Sequence, residues 1–306
     1  MKGQKVHRIK TIQEFYSHKG IPAPAHPLIS LFDYSLINCT EESDNEYFVF
    51  DFYHISIKKN ASVKYKYGQS SYDFDNGVMF FVAPNQVFGT EQIAETMASK
   101  EGWLLLIHPN FLWNTSLAKN IKKYDYFDYA VNEALFLSEK EEAILNTIVK
   151  NIEKESHENL DKFSQSIIVS QIETLLNYSE RFYQRQFLTR NKNNHKILSK
   201  TEKILNDYFA IPELSSQGLP TVQYVADMLH LSPIYLSSLL KSITGQSTQQ
   251  IIHEKLIEKA KEKLTTTNLT ISEIAYELGF EHAQSFSKLF KTKTNFSPIK
   301  FRQAFN

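Results

Sequence analysis

Gln284 and Lys288 stand four residues apart, so on a helix they share one face, one turn from each other. A carboxamide that both donates and accepts suits a bidentate pair with adenine, and an ammonium head suits guanine or a phosphate. Lys241 and Lys291 lie fifty residues apart in matching contexts, Leu239-Leu240-Lys241 and Leu289-Phe290-Lys291. Near a helix C-terminus such lysines suit phosphate contacts. Other chemistry is poorly supplied. The nine glycines never come closer than nine positions, which excludes a phosphate-cradling loop and a nucleophile elbow. Ten histidines include no His-x-His pair; His54 and His108 follow strand-like runs singly and read as structural or surface residues, not ligands. Cys39 is the one cysteine, so an internal disulfide framework and a multi-cysteine metal site are both excluded. It reads as inert and fits a reduced, cytoplasmic compartment. No catalytic residue, metal or cofactor is expected.

The lysine spacing belongs to a longer repeat. Thr221, Val225, Ala226 and Leu229 match Thr270, Ile274, Ala275 and Leu278 at an offset of 49. Leu236, Leu239, Leu240, Lys241, Gly245 and Ser247 match Phe286, Leu289, Phe290, Lys291, Asn295 and Ser297 at an offset of 50, with one extra residue in the second turn. Each unit reads as helix, tight turn, helix. Thr221 and Ser232-Pro233 are helix starts in the first unit; Thr270-x-x-Glu273 is a capping box in the second. Gly245, Gly279 and Asn295 end helices, and Ser297-Pro298 repeats the cap-plus-proline start. Ser247-x-x-Gln250 opens a connecting helix to about Leu264, with Ile251, Leu256, Ala260 and Leu264 facing inward. Two helix-turn-helix units result, whose second helices can enter a major groove. Exposed reading positions are Ile234, Tyr235, Ser237 and Ser238 in the first, and His282, Ala283, Gln284, Ser285 and Lys288 in the second. Phe280, Phe286, Leu289, Phe290, Leu236, Leu239 and Leu240 are core.

Ahead of the repeat, the chain of 306 residues has room for a second domain. The 34 basic and 34 acidic residues balance to zero, which argues against a polybasic coat. Residues 197–306 hold twelve basic and ten acidic residues, a net +2 that is weak polarity. Roughly the first 110 residues are strand-rich. Val63, Tyr65 and Tyr67 alternate with lysines; Tyr47–Ile57 is aromatic and β-branched; Asp75-Asn76-Gly77 turns into the buried run Val78–Val82, and Trp103–Ile107 is another short strand. A small antiparallel sandwich or barrel is expected, with Phe48, Phe50, Phe52, Tyr53, Tyr65, Tyr67, Tyr72, Phe74, Phe80 and Phe81 mostly core. From Pro109 to Pro212 no proline intervenes. A helical pair is expected over 138–188, its apolar faces carrying Ile144, Leu145, Ile148 and Ile152, then Phe163, Ile167, Ile172, Leu175, Leu176, Phe182, Tyr183 and Phe187; His157-Glu158-Asn159 turns between them. Polar residues 189–196 read as a linker, and Ile197–Phe209 as an amphipathic helix. No apolar stretch reaches the roughly 20 residues that span a bilayer, and the N-terminus shows no signal-peptide pattern.

Thr221–Arg302 resembles the AraC/XylS-type DNA-binding domain of bacterial transcription regulators. The stretches VADMLHLSPIYLSSLLKSITGQS and ISEIAYELGFEHAQSFSKLFKTKTNFSPIKFR carry the likeness. YDFDNGVMFFVAPNQVF is similar to the strand-turn-strand-proline segment of the cupin-like sensor domains such regulators carry. Lys255, Asn295 and His282 depart from the family's usual arginine, glycine and Ser or Asp, and the first reading helix lacks its usual Arg or Gln. The resemblance implies an α+β protein: a cupin-like barrel with a helical hairpin over 1–188, a linker over 189–196, and an all-α double helix-turn-helix domain over 197–306. It implies binding to double-stranded promoter DNA, a small-molecule effector, a homodimer and contact with RNA polymerase, with no membrane. The alternatives are a ligand-independent dimeric DNA binder with a side-chain-filled barrel, and a cupin-type enzyme with an accessory helical domain.

Overall fold

A computed structural model describes residues 6–36, 47–59, 66–67, 70–71, 77–89, 101–130, 133–157, 161–189, 191–210 and 218–305. The chain divides into two units, Met1–Gln186 and Phe187–Asn306.

The N-terminal unit is built on strands β1 (Val6–Ile9), β2 (Ile29–Asp33), β3 (Tyr47–Phe50), β4 (Tyr53–Lys59), β5 (Lys66–Tyr67), β6 (Ser70–Ser71), β7 (Val78–Val82), β8 (Val87–Gly89), β9 (Glu101–Ile107) and β10 (Leu135–Phe136). A five-stranded antiparallel sheet runs β10-β7-β4-β9-β2, a three-stranded sheet runs β1-β3-β8, and β5 pairs with β6. Val78–Val82 and Leu104–Ile107 are buried at every position, so the five-stranded sheet is covered on both faces.

One face packs on an aromatic cluster that also holds helix α1 (Ile12–Lys19). Phe15, Phe32, Phe48, Phe50 and Phe52 lie there with Val82, Leu104 and Leu106. The Phe48, Phe50 and Phe52 rings stack at 6.1 and 5.1 Å. A short helix α2 (Ser116–Asn120) follows β9. Helices α3 (Glu139–His157) and α4 (Ser164–Thr189) follow β10. The indole of Trp103 in β9 donates to Asn146 of α3 at 2.8 Å, and Lys59 of β4 pairs with Glu142 at 2.5 Å. Arg185 of α4 pairs with Glu141 of α3 at 2.7 Å.

The sequence reading of this unit needs four corrections. No sheet among the described residues closes on itself, so the barrel is not found. The unit is not wholly antiparallel, because β1 runs parallel to β3 with Val6 opposite Tyr47. Phe163 and Ile167 are exposed, and Ile168 and Val169 take the buried face of α4 beside Ile172. Ile144 likewise lies at the edge of the α3 face, with Val149 buried in its place. Positions 60–65, 72–76 and Cys39, with the turn residues Glu158 and Asn159, lie outside the described residues. Phe48, Phe50, Phe52, Phe80 and Phe81 are core as read; Tyr53 is half-buried.

The elements of the C-terminal unit among the described residues are helices: α5 (Asn191–Phe209), α6 (Val222–Leu229), α7 (Pro233–Thr244), α8 (Thr248–Thr266), α9 (Ile271–Glu277), α10 (Ala283–Thr294) and α11 (Pro298–Phe305). Helix α4 ends at Thr189 and α5 begins at Asn191, so the described residues of segment 189–196 are helical, and Arg190 lies outside them. Tyr208 and Phe209 of α5 join Leu256, Ala260 and Leu264 of α8, Ile274 and Ala275 of α9, and Phe286 and Phe290 of α10 in one core. Ile252, not Ile251, is the first buried apolar residue of α8.

His54 sits in β4 opposite Val82 and Leu106, fully buried. Burial first, then the charges of Lys58 and Lys19, push its pKa down to about 3. Folded, it is neutral across the ordinary pH range. Below pH 6.5 the unfolded chain takes up a proton that the folded chain refuses. Stability is thus complete above that pH and falls by about 1.4 kcal/mol per unit as the medium is acidified. Thermal melts of the protein against pH are expected to show this slope, and His54→Leu is expected to flatten it; an unchanged slope in the variant would exclude His54 as its source.

Candidate nucleic-acid interface

Both repeats turn by the same device. In the first, the backbone N–H of Leu231 donates to the Ala226 carbonyl at 3.0 Å and that of His230 to Asp227 at 3.1 Å. In the second, Phe280 donates to Ala275 and Gly279 to Tyr276, each at 2.9 Å. These paired bonds are a Schellman closure, which needs a left-handed residue at its centre. His230 (φ 56°) and Gly279 (φ 88°) supply it. The extra residue of the second turn falls between Gly279 and His282.

The reading helices then start differently. The Ser232 hydroxyl accepts from the Tyr235 N–H, with Pro233 in the first turn. His282 occupies the equivalent position without a side-chain cap. Thr221 caps α6, and Ser247-Gln250 and Thr270-Glu273 both form complete capping boxes. Gly245 and Asn295 end α7 and α10 in left-handed conformation, at φ 76° and 64°.

At about 100° per residue, Ile234, Ser238 and Lys241 fall within about 60° of each other on α7, as do Gln284, Lys288 and Lys291 on α10. The opposite faces bury Leu236, Leu239 and Leu240, and Phe286 and Phe290, with Leu289 half-buried. Gln284, Ser285, Lys288, Lys291 and His282 are exposed, and Ala283 is half-buried against the core. Three positions expected to be open on α7 are not fully so. Tyr235 is only 2% exposed, because it lies on the side of α7 that carries Leu239; its ring meets Phe187 edge-on at 5.2 Å. Ser237 is half-buried, its hydroxyl 3.2 Å from that of Thr248 at the start of α8. Ser238 is half-buried too, so the outward face of α7 consists of exposed Ile234 and Lys241 with half-buried Ser238 between them.

Charge pairing separates these lysines from those of the connecting helix. Lys255, Lys259 and Lys263 pair with Glu258, Glu262 and Glu277 at 2.7, 2.8 and 2.7 Å. Lys259 holds the Glu262 carboxyl below its ordinary range through that bond and its charge. The side chains of Lys241, Lys288, Lys291, Gln284 and Ser238 have no hydrogen-bond or ion-pair partner among the described residues. Burial, then the charge of Lys293, lowers the pKa of His253 on α8, which lies 2.9 Å from Gln249.

Arg302 plays a part that its position in the sequence signature did not reveal. Its guanidinium donates to the carbonyls of Leu264 at 3.1 Å and Leu269 at 2.7 Å. It thereby ties α11 to the end of α8 and to the turn that launches α9.

The C-terminal unit is thus a pair of helix-turn-helix modules sharing one helix. Residues 225–304 match the family described as "Helix-turn-helix domain". "Uncharacterized HTH-type transcriptional regulator YfiF" of Bacillus subtilis (strain 168) is 32% identical over 148 residues, 48% of this chain and 44% of that protein. "Bifunctional transcriptional activator/DNA repair enzyme AdaA" of the same organism is 36% identical over 83 residues, 27% of this chain and 39% of that one. The chain therefore spans less than half the length of either relative. A solved structure, the C-terminal domain of the response regulator AraT from Geobacillus stearothermophilus, is 30% identical, with 35% of this chain and 84% of that domain covered and a TM-score of 0.31.

Gly279 is where a side chain fits least. A Cβ there would lie 2.4 Å from the Gly218 carbonyl oxygen, which also accepts from the Tyr208 hydroxyl at 3.1 Å. Gly245 shares the positive φ but has no atom within 4 Å of that position. Gly245→Ala is expected to cost about 1 kcal/mol from backbone strain alone, and Gly279→Ala distinctly more. Urea unfolding followed by circular dichroism compares them, and equal losses would mean that the Gly218 approach imposes no constraint.

Proposed function

We propose that the chain is a bacterial transcription regulator that binds double-stranded promoter DNA through both helix-turn-helix units. The observation that carries this reading is the repeated, unpaired outer face: Ile234, Ser238 and Lys241 on α7, Gln284, Lys288 and Lys291 on α10. Each presents base-reading groups toward the helix N-terminus and an ammonium one to two turns later. Helix α8, at 19 residues, is about 28 Å long, a spacer suited to major grooves about 34 Å apart. The relatives' names, transcriptional regulators and activators, support the same reading. The repair activity in the name of AdaA is not carried over, since that match covers 39% of it.

The N-terminal unit fits a sensing or dimerising role. A cleft of about 410 Å³ lies between Tyr53, Asn110, Leu112, Trp113, Asn114 and Ile121, with no charged side chain in its lining. That size falls among small-molecule sites of about 300–1,000 Å³, which supports an effector. The stacked Phe48, Phe50 and Phe52 favour a second reading, in which a filled unit only pairs two chains; the exposed Phe163 and Ile167 of α4 would then contribute to that contact.

The deciding experiment is binding of genomic fragments by the full chain, with and without cell extract, followed by mapping of protected base pairs. Two protected half-sites about ten base pairs apart are expected. Retention no better than that of random DNA at every salt concentration would end the DNA-binding reading. On the selected duplex, Gln284→Ala is expected to relax preference at one base pair by about 1–3 kcal/mol; undiminished selectivity would remove Gln284 from base reading. Lys291→Ala is expected to weaken all sequences alike and to lower the slope of log affinity against log salt by about one. An unaltered slope would count against a phosphate contact.

A further inference from the structure

We propose that Ile234 reads a thymine by its C5-methyl group, so that the first head selects an apolar feature of the groove while the second selects hydrogen-bonding edges. The inference rests on the DNA-binding reading above and specifies what its first head recognises.

Ile234 is the second residue of α7, directly after Pro233, in the turn of a reading helix that comes nearest the base edges. It is 37% exposed although apolar, and the core beneath α7 is completed by Tyr235, Leu236, Leu239 and Leu240 without it. Its counterpart fifty residues on is Gln284, a carboxamide on the same face of α10. The fold therefore accepts a polar side chain at this position and does not require an isoleucine.

The neighbours narrow the choice of base. Tyr235 is buried, and the Ser237 hydroxyl is turned to Thr248. On the open face only Ser238, with its short hydroxyl, stands between Ile234 and Lys241. A branched aliphatic group cannot satisfy guanine O6 and N7, the adenine N6 amino group or the cytosine N4 amino group, and pressing it on them leaves those groups without partners. Thymine alone among the bases offers a methyl group in the major groove. Contact between that methyl and the Ile234 side chain removes apolar surface from water on both sides.

The test uses the full chain and the duplex obtained by selection from random DNA. Each thymine of the selected site is replaced in turn by deoxyuridine, which deletes the methyl and leaves the pairing edge intact. At one position the wild-type protein is expected to lose about three- to tenfold in affinity, the worth of one buried methyl. Ile234→Ala is expected to lose a similar factor on the thymine duplex and to be indifferent to deoxyuridine there. Ile234→Val, which keeps a branched apolar side chain, is expected to remain sensitive. The exposed position leaves the core intact, and circular dichroism checks that each variant is folded. Wild-type affinity unchanged by deoxyuridine at every thymine, or an Ile234→Ala protein that keeps the full sensitivity, overturns the proposal. Failure to select any preferred duplex overturns the DNA-binding reading as well, so the two failures are told apart.

Discussion

Each helix-turn-helix unit must reverse its chain within a few residues while still satisfying the last carbonyls of its first helix. The backbone meets both demands with one left-handed residue. His230 and Gly279 hold that place in the two turns, and Gly245 and Asn295 hold it where the reading helices end. Glycine and a side-chain residue thus appear once each in both repeats, in opposite order. Everything downstream inherits this geometry. The Schellman bonds fix where α7 and α10 begin, and the start of each helix fixes which residues face outward. Where the second turn admits an extra residue, α10 starts without the serine cap that α7 has. The closeness of Gly279 to the Gly218 carbonyl then anchors that longer turn to the segment before α6.

A net charge near zero conceals how the charge is arranged. On α8 Lys255, Lys259 and Lys263 are answered by glutamates one turn along or on α9, and Lys261 lies over the Phe301 ring at 5.8 Å. Exposed pairs of this kind add little to stability. Their effect is on the field, because they leave the ammonium groups of Lys241, Lys288, Lys291 and Lys293 on the reading helices without a carboxylate partner among the described residues.

Local chemistry was legible in the sequence wherever a side chain acts on its own backbone. Thr221 announces its cap by type, Ser232 by type and the proline after it, and Ser247 and Thr270 by type and by Gln250 and Glu273 three places on; each cap is present. Gly245, Gly279 and Asn295 likewise name their own conformation. His230 does not, because its left-handed φ comes from the turn that encloses it, and only comparison with Gly279 at an offset of 49 could have exposed it. Tyr235 looked open because tyrosine tolerates exposure, and its burial depends on Phe187, forty-eight residues earlier. The N-terminal unit was hardest for the same reason. Strand runs such as Val78–Val82 were plain, but the parallel pairing of β1 with β3 and the absence of closure are set by long-range contacts that no local pattern encodes. Fully buried strands also lose the alternation that would have told their two faces apart.

The shared helix α8 has one more consequence. It joins the two modules through continuous backbone, so its length acts as an angular dial as well as a ruler. Adding a single residue would advance the second module by only about 1.5 Å but swing it by about 100° around the axis. Such a swing would tear Leu256, Ala260 and Leu264 from the packing they share with α9 and α10. Only insertions near whole helical turns would preserve the phase, and each would carry the modules about 5.4 Å further apart. Spacing between half-sites is thus quantised by the helix, leaving sequence preference free to drift one side chain at a time while the separation cannot.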